Sequence, residues 1–199
     1  MEYRKMSFRD DYRDLKGAKL IISSAQGKLK VEFPAFLTSL NNSFSSNWNE
    51  ERVYGRQDPI GTFQGTSRKI SLSFNIVSYD LEDAKKNLEN INKITRMLYP
   101  SYSAVKTDDG SKNALVLSKA PLVYLQFGNL IQENGDALLG WINSWSANPV
   151  LDMGMFTPEM GKFFPKVYEA SIDFTPQHKQ NLAFNSGDGG NPIKFPYGG

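Results

Sequence analysis

Cysteine is absent from the 199 residues, and His178 is the only histidine. The first absence removes a disulfide framework, thiolate metal ligands and cysteine nucleophiles together. With one imidazole, a zinc site would need nearly all-carboxylate ligation, which zinc rarely adopts. A Ser-His-acid triad would have to use His178, and no G-x-S-x-G nucleophile motif lies near it. There is no Walker loop, and the GDGG at 187–190 lacks the strand before it and the helix after it that a dinucleotide fingerprint requires. Glu50 and Glu51 are adjacent on a strand pattern, so they point to opposite faces and cannot act jointly as acid and base. An excess of one charge is also missing, with Lys+Arg 23 against Asp+Glu 21. That balance gives no global basic face for nucleic acid or anionic lipid. No apolar run approaches the roughly 20 residues of a membrane helix, and the N-terminus MEYRKMSFRDDYRDLKG lacks the apolar stretch of a secretory signal. The expectation is a soluble intracellular protein that is not an enzyme, with no catalytic residues, no metal, no cofactor and no membrane insertion.

What is present is strand pattern and one helix. A chain of this size buries about 70% of its unfolded surface, enough for a core without staples. Leu29, Val31 and Phe33 alternate with charged residues, and Pro34 ends ladder pairing or marks an edge strand. Residues 35–47, AFLTSLNNSFSSN, become Ser/Asn-rich and read as a loop or a mobile hairpin tip. From Trp48 to Tyr54 neither strand face is cleanly apolar, so this stretch should meet water or another chain. Asp58-Pro59 then punctuates, and residues 69–77 give the cleanest strand, with Ile70, Leu72, Phe74 and Ile76 on one side.

A helix is expected over about 80–99. Asp80 and Asp83 approximate a capping box, and Leu81, Ala84, Leu88, Ile91, Ile94 and Leu98 form its apolar stripe. Glu82–Lys86 and Glu89–Lys93 are favourable i,i+4 pairs, and Pro100 stops the helix. Residues 107–111, TDDGS, read as a plain turn without the spacing of a calcium loop. Residues 122–127 read as a central strand, and 132–136 as a hairpin turn around Asn134-Gly135. The return strand would place Trp141, Asn143 and Trp145 on one side. Residues 148–166 hold Met153, Met155, Phe156, Phe163 and Phe164 and read as a packed or interface loop. The last strand carries Tyr168, Ala170, Ile172 and Phe174 on its core face.

Residues 1–19, with six basic and four acidic side chains, form an N-terminal arm, either solvated or docked on a neighbouring subunit. Residues 179–199 form a Gly/Pro-rich tail, flexible or docked. The single domain is then 20–178. Its charged cluster Glu50, Glu51, Arg52, Arg56, Asp58, Arg68 and Lys69 mixes both signs, which fits inter-subunit or lumen contacts better than phosphate binding.

Four pieces resemble the tail-tube and tube-initiator (baseplate tube adaptor) proteins of contractile phage tails. They are VYGRQDPIGTFQGTSRKISLSF, the following helix ending RMLYPSY, APLVYLQFGNLI with GWINSWSANPVLDMGMF, and FPKVYEASIDFTPQH. Together they span about residues 48–178. The resemblance implies a mainly β fold with one long α-helix, a small β-barrel or sandwich whose long hairpin lines a lumen. It further implies a homohexameric ring in the virion, made in the host cytoplasm and stacked with tail tube and baseplate hub or spike proteins, with DNA only as passing cargo. No length remains after residue 178 for the LysM module of some relatives, which favours a tube-like ring over the adaptor. The competing reading is a carbohydrate-binding β-sandwich, resting on the face shared by Trp141 and Trp145.

Overall fold

The computed structural model describes residues 19–27, 29–34, 36–105, 114–133 and 135–178. The proposed N-terminal arm (apart from Lys19), the turn at 107–111 and the tail at 179–199 therefore lie outside the described residues.

The alternation at 69–77 organises everything else. Ile70, Leu72, Phe74 and Ile76 leave β4 (Ile60–Val77) on one side and are each only 1% exposed. Across β4, β11 (Val167–Pro176) pairs antiparallel and places Tyr168, Ala170, Ile172 and Phe174 on the same side, in register with Ile76, Phe74, Leu72 and Ile70. β1 (Lys19–Ser24) contributes Leu20 and Ile22, and β2 (Lys30–Pro34) contributes Val31 and Phe33. β7 (Val123–Phe127) and β8 (Leu138–Pro149) add Val123, Leu125 and Leu138. With β3 (Phe36–Glu51) these strands form one antiparallel seven-stranded sheet, ordered β2-β1-β7-β8-β11-β4-β3. The fold is mainly β with one long helix, as expected. No closed barrel forms among the described residues: β2 and β3 are the two ends of the strand order and do not pair, although the sheet curls until Phe33 of β2 meets Phe74 of β4 at 6.1 Å between ring centres.

Helix α1 (Leu81–Met97) covers the apolar face of this sheet. The Asp80 side chain caps it by accepting from the Asp83 backbone N–H at 2.7 Å. Ala84, Ile91, Ile94 and Met97 are buried, as the three- and four-residue spacing demands. Asn87 and Asn90 are buried on the same stripe, a feature hydrophobic periodicity passes over. Asn87 is accommodated because its Nδ2 donates to Ser78 Oγ at 3.0 Å. Of the two expected outer pairs, Lys93–Glu89 forms at 2.7 Å. Among the described residues no helix is long and apolar enough to cross a membrane.

Two stretches that read as loops are structured. Residues 36–51 form a single long strand where a loop was expected over 35–47, because pairing with β4 supplies the ladder hydrogen bonds. Residues 148–166 are also structured, as a 3-10 turn (Leu151–Met153) followed by the hairpin β9 (Met155–Glu159) and β10 (Lys162–Pro165). A further small hairpin pairs β5 (Ser101–Val105) with β6 (Ala114–Lys119).

Candidate assembly interface

β3 and β4 stay paired from Phe36↔Asn75 out to Glu51↔Ile60, whereas β11 accompanies β4 only as far as Ile70. The hairpin therefore runs past the sheet as an arm with solvent on both sides. Its core-side face continues outward through Phe44, opposite Arg68, and Trp48, opposite Phe63. A register shift between Asn47 and Trp48 brings the last pair directly across from each other. Their rings meet edge-on at 5.2 Å, and Trp48 Nε1 donates to Ser46 Oγ at 2.9 Å. The indole is thus fixed on the arm while still 57% exposed, beside Phe63 at 54%. Large aromatic rings oriented this way and left wet are the composition of interface cores.

The charged residues singled out from the sequence separate into three places. Glu50, Glu51, Arg52, Arg56 and Asp58 gather, all exposed, at the arm's end. Lys69 lies exposed on the sheet's outer face. Arg68 is held inside the subunit at 5% exposure, with its Nε donating to Asn42 Oδ1 at 2.9 Å and its guanidinium 5.3 Å from the Phe44 ring centre. Close to it are two groups the sequence did not place together. His178 Nδ1 lies 3.5 Å from Glu133 Oε1, and burial, then the Arg68 charge, hold the imidazole below its ordinary range against the opposing pull of Glu133. The base of the arm, the β7–β8 connection and the exit of β11 thus converge on one charged cluster.

The sheet face away from α1 carries mostly small polar side chains, with Trp141 and Phe36 as its exposed rings. Ser71 Oγ donates to Asp173 Oδ1 at 2.7 Å, Ser146 and Ser171 hydroxyls share a bond of 2.7 Å, and Asn143 Nδ2 donates to Thr175 Oγ1 at 2.6 Å. Two open grooves of about 390 and 350 Å³ cross it, lined by side chains such as Ser73, Asn148, Glu169, Lys69 and Asp173.

Trp141 and Trp145 do not share this face. A register shift in the β8–β11 ladder sets Phe174 against Ile142 and Ile172 against Trp145, so the alternation reverses between them. Trp145 packs on Phe74 at 6.4 Å and donates to Thr95 Oγ1 of α1 at 3.3 Å, whereas Trp141 stands on the outer face and donates to Asn143 Oδ1. The joint aromatic platform on which a carbohydrate reading rests is therefore absent.

The apolar residues of 151–164 divide as well. Phe156 lies under Lys166 Nζ at 5.3 Å and Phe164 under Lys85 Nζ of α1 at 5.8 Å, which pins the β9–β10 hairpin to the domain. Leu151, Met153, Met155, Met160 and Phe163 remain exposed. Among the described residues no cluster of His, Cys, Asp and Glu could hold a metal ion.

No family model matches the chain, and no curated protein matches it. Several solved structures are similar to it. One is the SPP1 Dit protein, described as a paradigm of the hub adsorption apparatus in phages that infect Gram-positive hosts, at TM-score 0.41 and 7% identity over 79% of this chain. This chain spans only 49% of that protein's length. A second is a chain of the anti-feeding prophage baseplate, at TM-score 0.31 and 7% identity, covering 80% of this chain and 88% of that one. A third belongs to the tail of an empty GTA particle, at TM-score 0.34 and 14% identity, covering 85% and 97% respectively. These three are a phage hub-apparatus protein, a prophage baseplate chain and a GTA tail chain.

Proposed function

We propose that this chain is a structural subunit of a phage tail that assembles with itself into a homohexameric ring of the tube or its baseplate-proximal initiator. The observation that carries this reading is an open sheet with two unlike edges and one polar face. β2 is a five-residue edge ending in Pro34, and β3 is a sixteen-residue edge that continues into the arm. Two different edges on one subunit suit a heterologous contact, which closes into a ring when its rotation closes. Among the described residues β2 and β3 are the sheet's edges, and sheet edges are a liability that proteins usually cover or blunt.

The polar face supports the same reading. Serine, threonine and asparagine present neutral hydrogen-bonding groups, with Glu169 and Asp173 offsetting Lys69. Such a surface gains no large counterion-release affinity for a duplex, so DNA can pass without sticking. In this reading that face lines the lumen, the charged arm end meets neighbouring subunits, and stacked tube and baseplate proteins cap the ring. The subunit's role is to shape a channel, and no chemistry is assigned to it.

Electron microscopy of the purified protein, with its mass in solution, tests the proposal. Rings with sixfold symmetry are expected. A strict monomer that stays monomeric when tail partners are added refutes it.

A further inference from the structure

We propose that the aromatic arm of one copy docks on the β9–β10 hairpin of a second copy, joining copies head to tail along the strand direction. The inference rests on the ring reading and names the surfaces that link one copy to the next beyond the ring's lateral edges.

Two large apolar surfaces remain wet in one subunit, and they lie at opposite ends of the same sheet. The arm leaves the Ile70 end of β4, while β9–β10 follows Pro149, which pairs with Tyr168 at the Ile76 end. The ladder between those ends, Phe174↔Ile70 to Val167↔Val77, spans roughly 24 Å at about 3.4 Å per residue. An arm directed away from that ladder cannot fold back to cover the hairpin of its own chain. A second copy translated along the strands can.

The two surfaces also fit chemically. The arm offers rigid rings, Trp48 and Phe63, with Gly61 so close beside the indole that a Cβ there would sit 3.4 Å from Trp48 Cε3. The hairpin and the 3-10 turn before it offer exposed Met153, Met155, Met160 and Phe163, with Met160 fully exposed at 104%. Thioethers adapt to aromatic shapes and make favourable sulfur–ring contacts. Charge is complementary as well. At the arm's end Glu50, Glu51 and Asp58 outnumber Arg52 and Arg56. Around the hairpin Lys85, Lys162 and Lys166 outnumber Asp152 and Glu159. Arm against arm would bring like acidic ends together, so a head-to-tail contact is favoured over a symmetric one.

Because the chain has no cysteine, single cysteines report this contact cleanly. Phe63→Cys and Phe163→Cys, both at exposed positions, are prepared separately, mixed and oxidised. The expected result is a cross-linked pair joining the two variants, well above what either gives alone and above a Lys69→Cys control mixed with Phe163→Cys. The double variant Trp48→Ser/Phe63→Ser should keep the parental melting curve while losing end-to-end assembly. Sixfold rings without the Phe63–Phe163 cross-link, or with Phe63–Phe63 links dominating, overturn the docking and leave the ring reading standing. Absence of any assembly removes both.

Discussion

Gly140→Ala is the sharpest test of the sheet's geometry. Gly140 lies mid-sheet, opposite Val123 on one side and Pro176 on the other. A Cβ built there would overlap the Thr175 carbonyl oxygen and lie 2.5 Å from Phe174 Cζ and 2.9 Å from Pro176 Cα. Two of these obstacles are backbone, so no rotamer change relieves them. To restore ordinary contact, β8 and β11 must part by about 1 Å, which also stretches the 2.7 Å bond from Gln177 N–H to Leu139 O. Overpacking of one methyl in a tight core costs about 1–3 kcal/mol, and a weakened backbone hydrogen bond adds about 1 kcal/mol. The expected loss is therefore about 3 kcal/mol, equivalent to a melting temperature roughly 10 °C lower for a domain of this size. Urea unfolding with a shared m-value measures it. Gly61→Ala is the control, since its Cβ would meet only the Trp48 ring at 3.4 Å, and it should stay within about 0.5 kcal/mol of the parent. If Gly140→Ala behaves like that control, the close approach of β8 and β11 described here is wrong.

His178 has its imidazole held below the ordinary value of 6.5, so near that pH the unfolded chain binds more protons than the folded one. Stability should consequently fall as pH drops through and below 6.5, and His178→Gln should flatten that slope in urea midpoints taken at several pH values. Trp145→Ala should cost about 2–3 kcal/mol, because the indole is half-buried against Phe74 and bonded to Thr95. Trp141→Ala should cost under about 1 kcal/mol, and equal costs in denaturant melts would contradict the reversal of faces between them. Asp80→Ala should destabilise by about 1 kcal/mol through loss of its bond to the Asp83 N–H, visible as a lower thermal midpoint by circular dichroism.

Local pattern, read alone, determined the parts whose burial repeats with a clear period. The Ile70–Ile76 alternation, the Tyr168–Phe174 face, the α1 stripe with its Asp80 cap and the edge character of β2 at Pro34 were all legible. Each depends on which residues share a face within a few positions. The tertiary structure alone decided the rest. β3 is long because β4 lies beside it, and pairing along a partner ladder overrides the weaker strand propensity of Ser and Asn. Trp141 and Trp145 part company through a register shift, and alternation counted along one strand cannot reveal a residue inserted relative to its neighbour. Asn87 is buried because Ser78 is placed to bond it, and Arg68 because Asn42 and Phe44 lie across the ladder. The charged stretch that looked like a single contact surface became an exposed arm end, a residue on the sheet face and a buried arginine. Composition proposes which side chains seek partners, but only the paired strands determine where those partners stand.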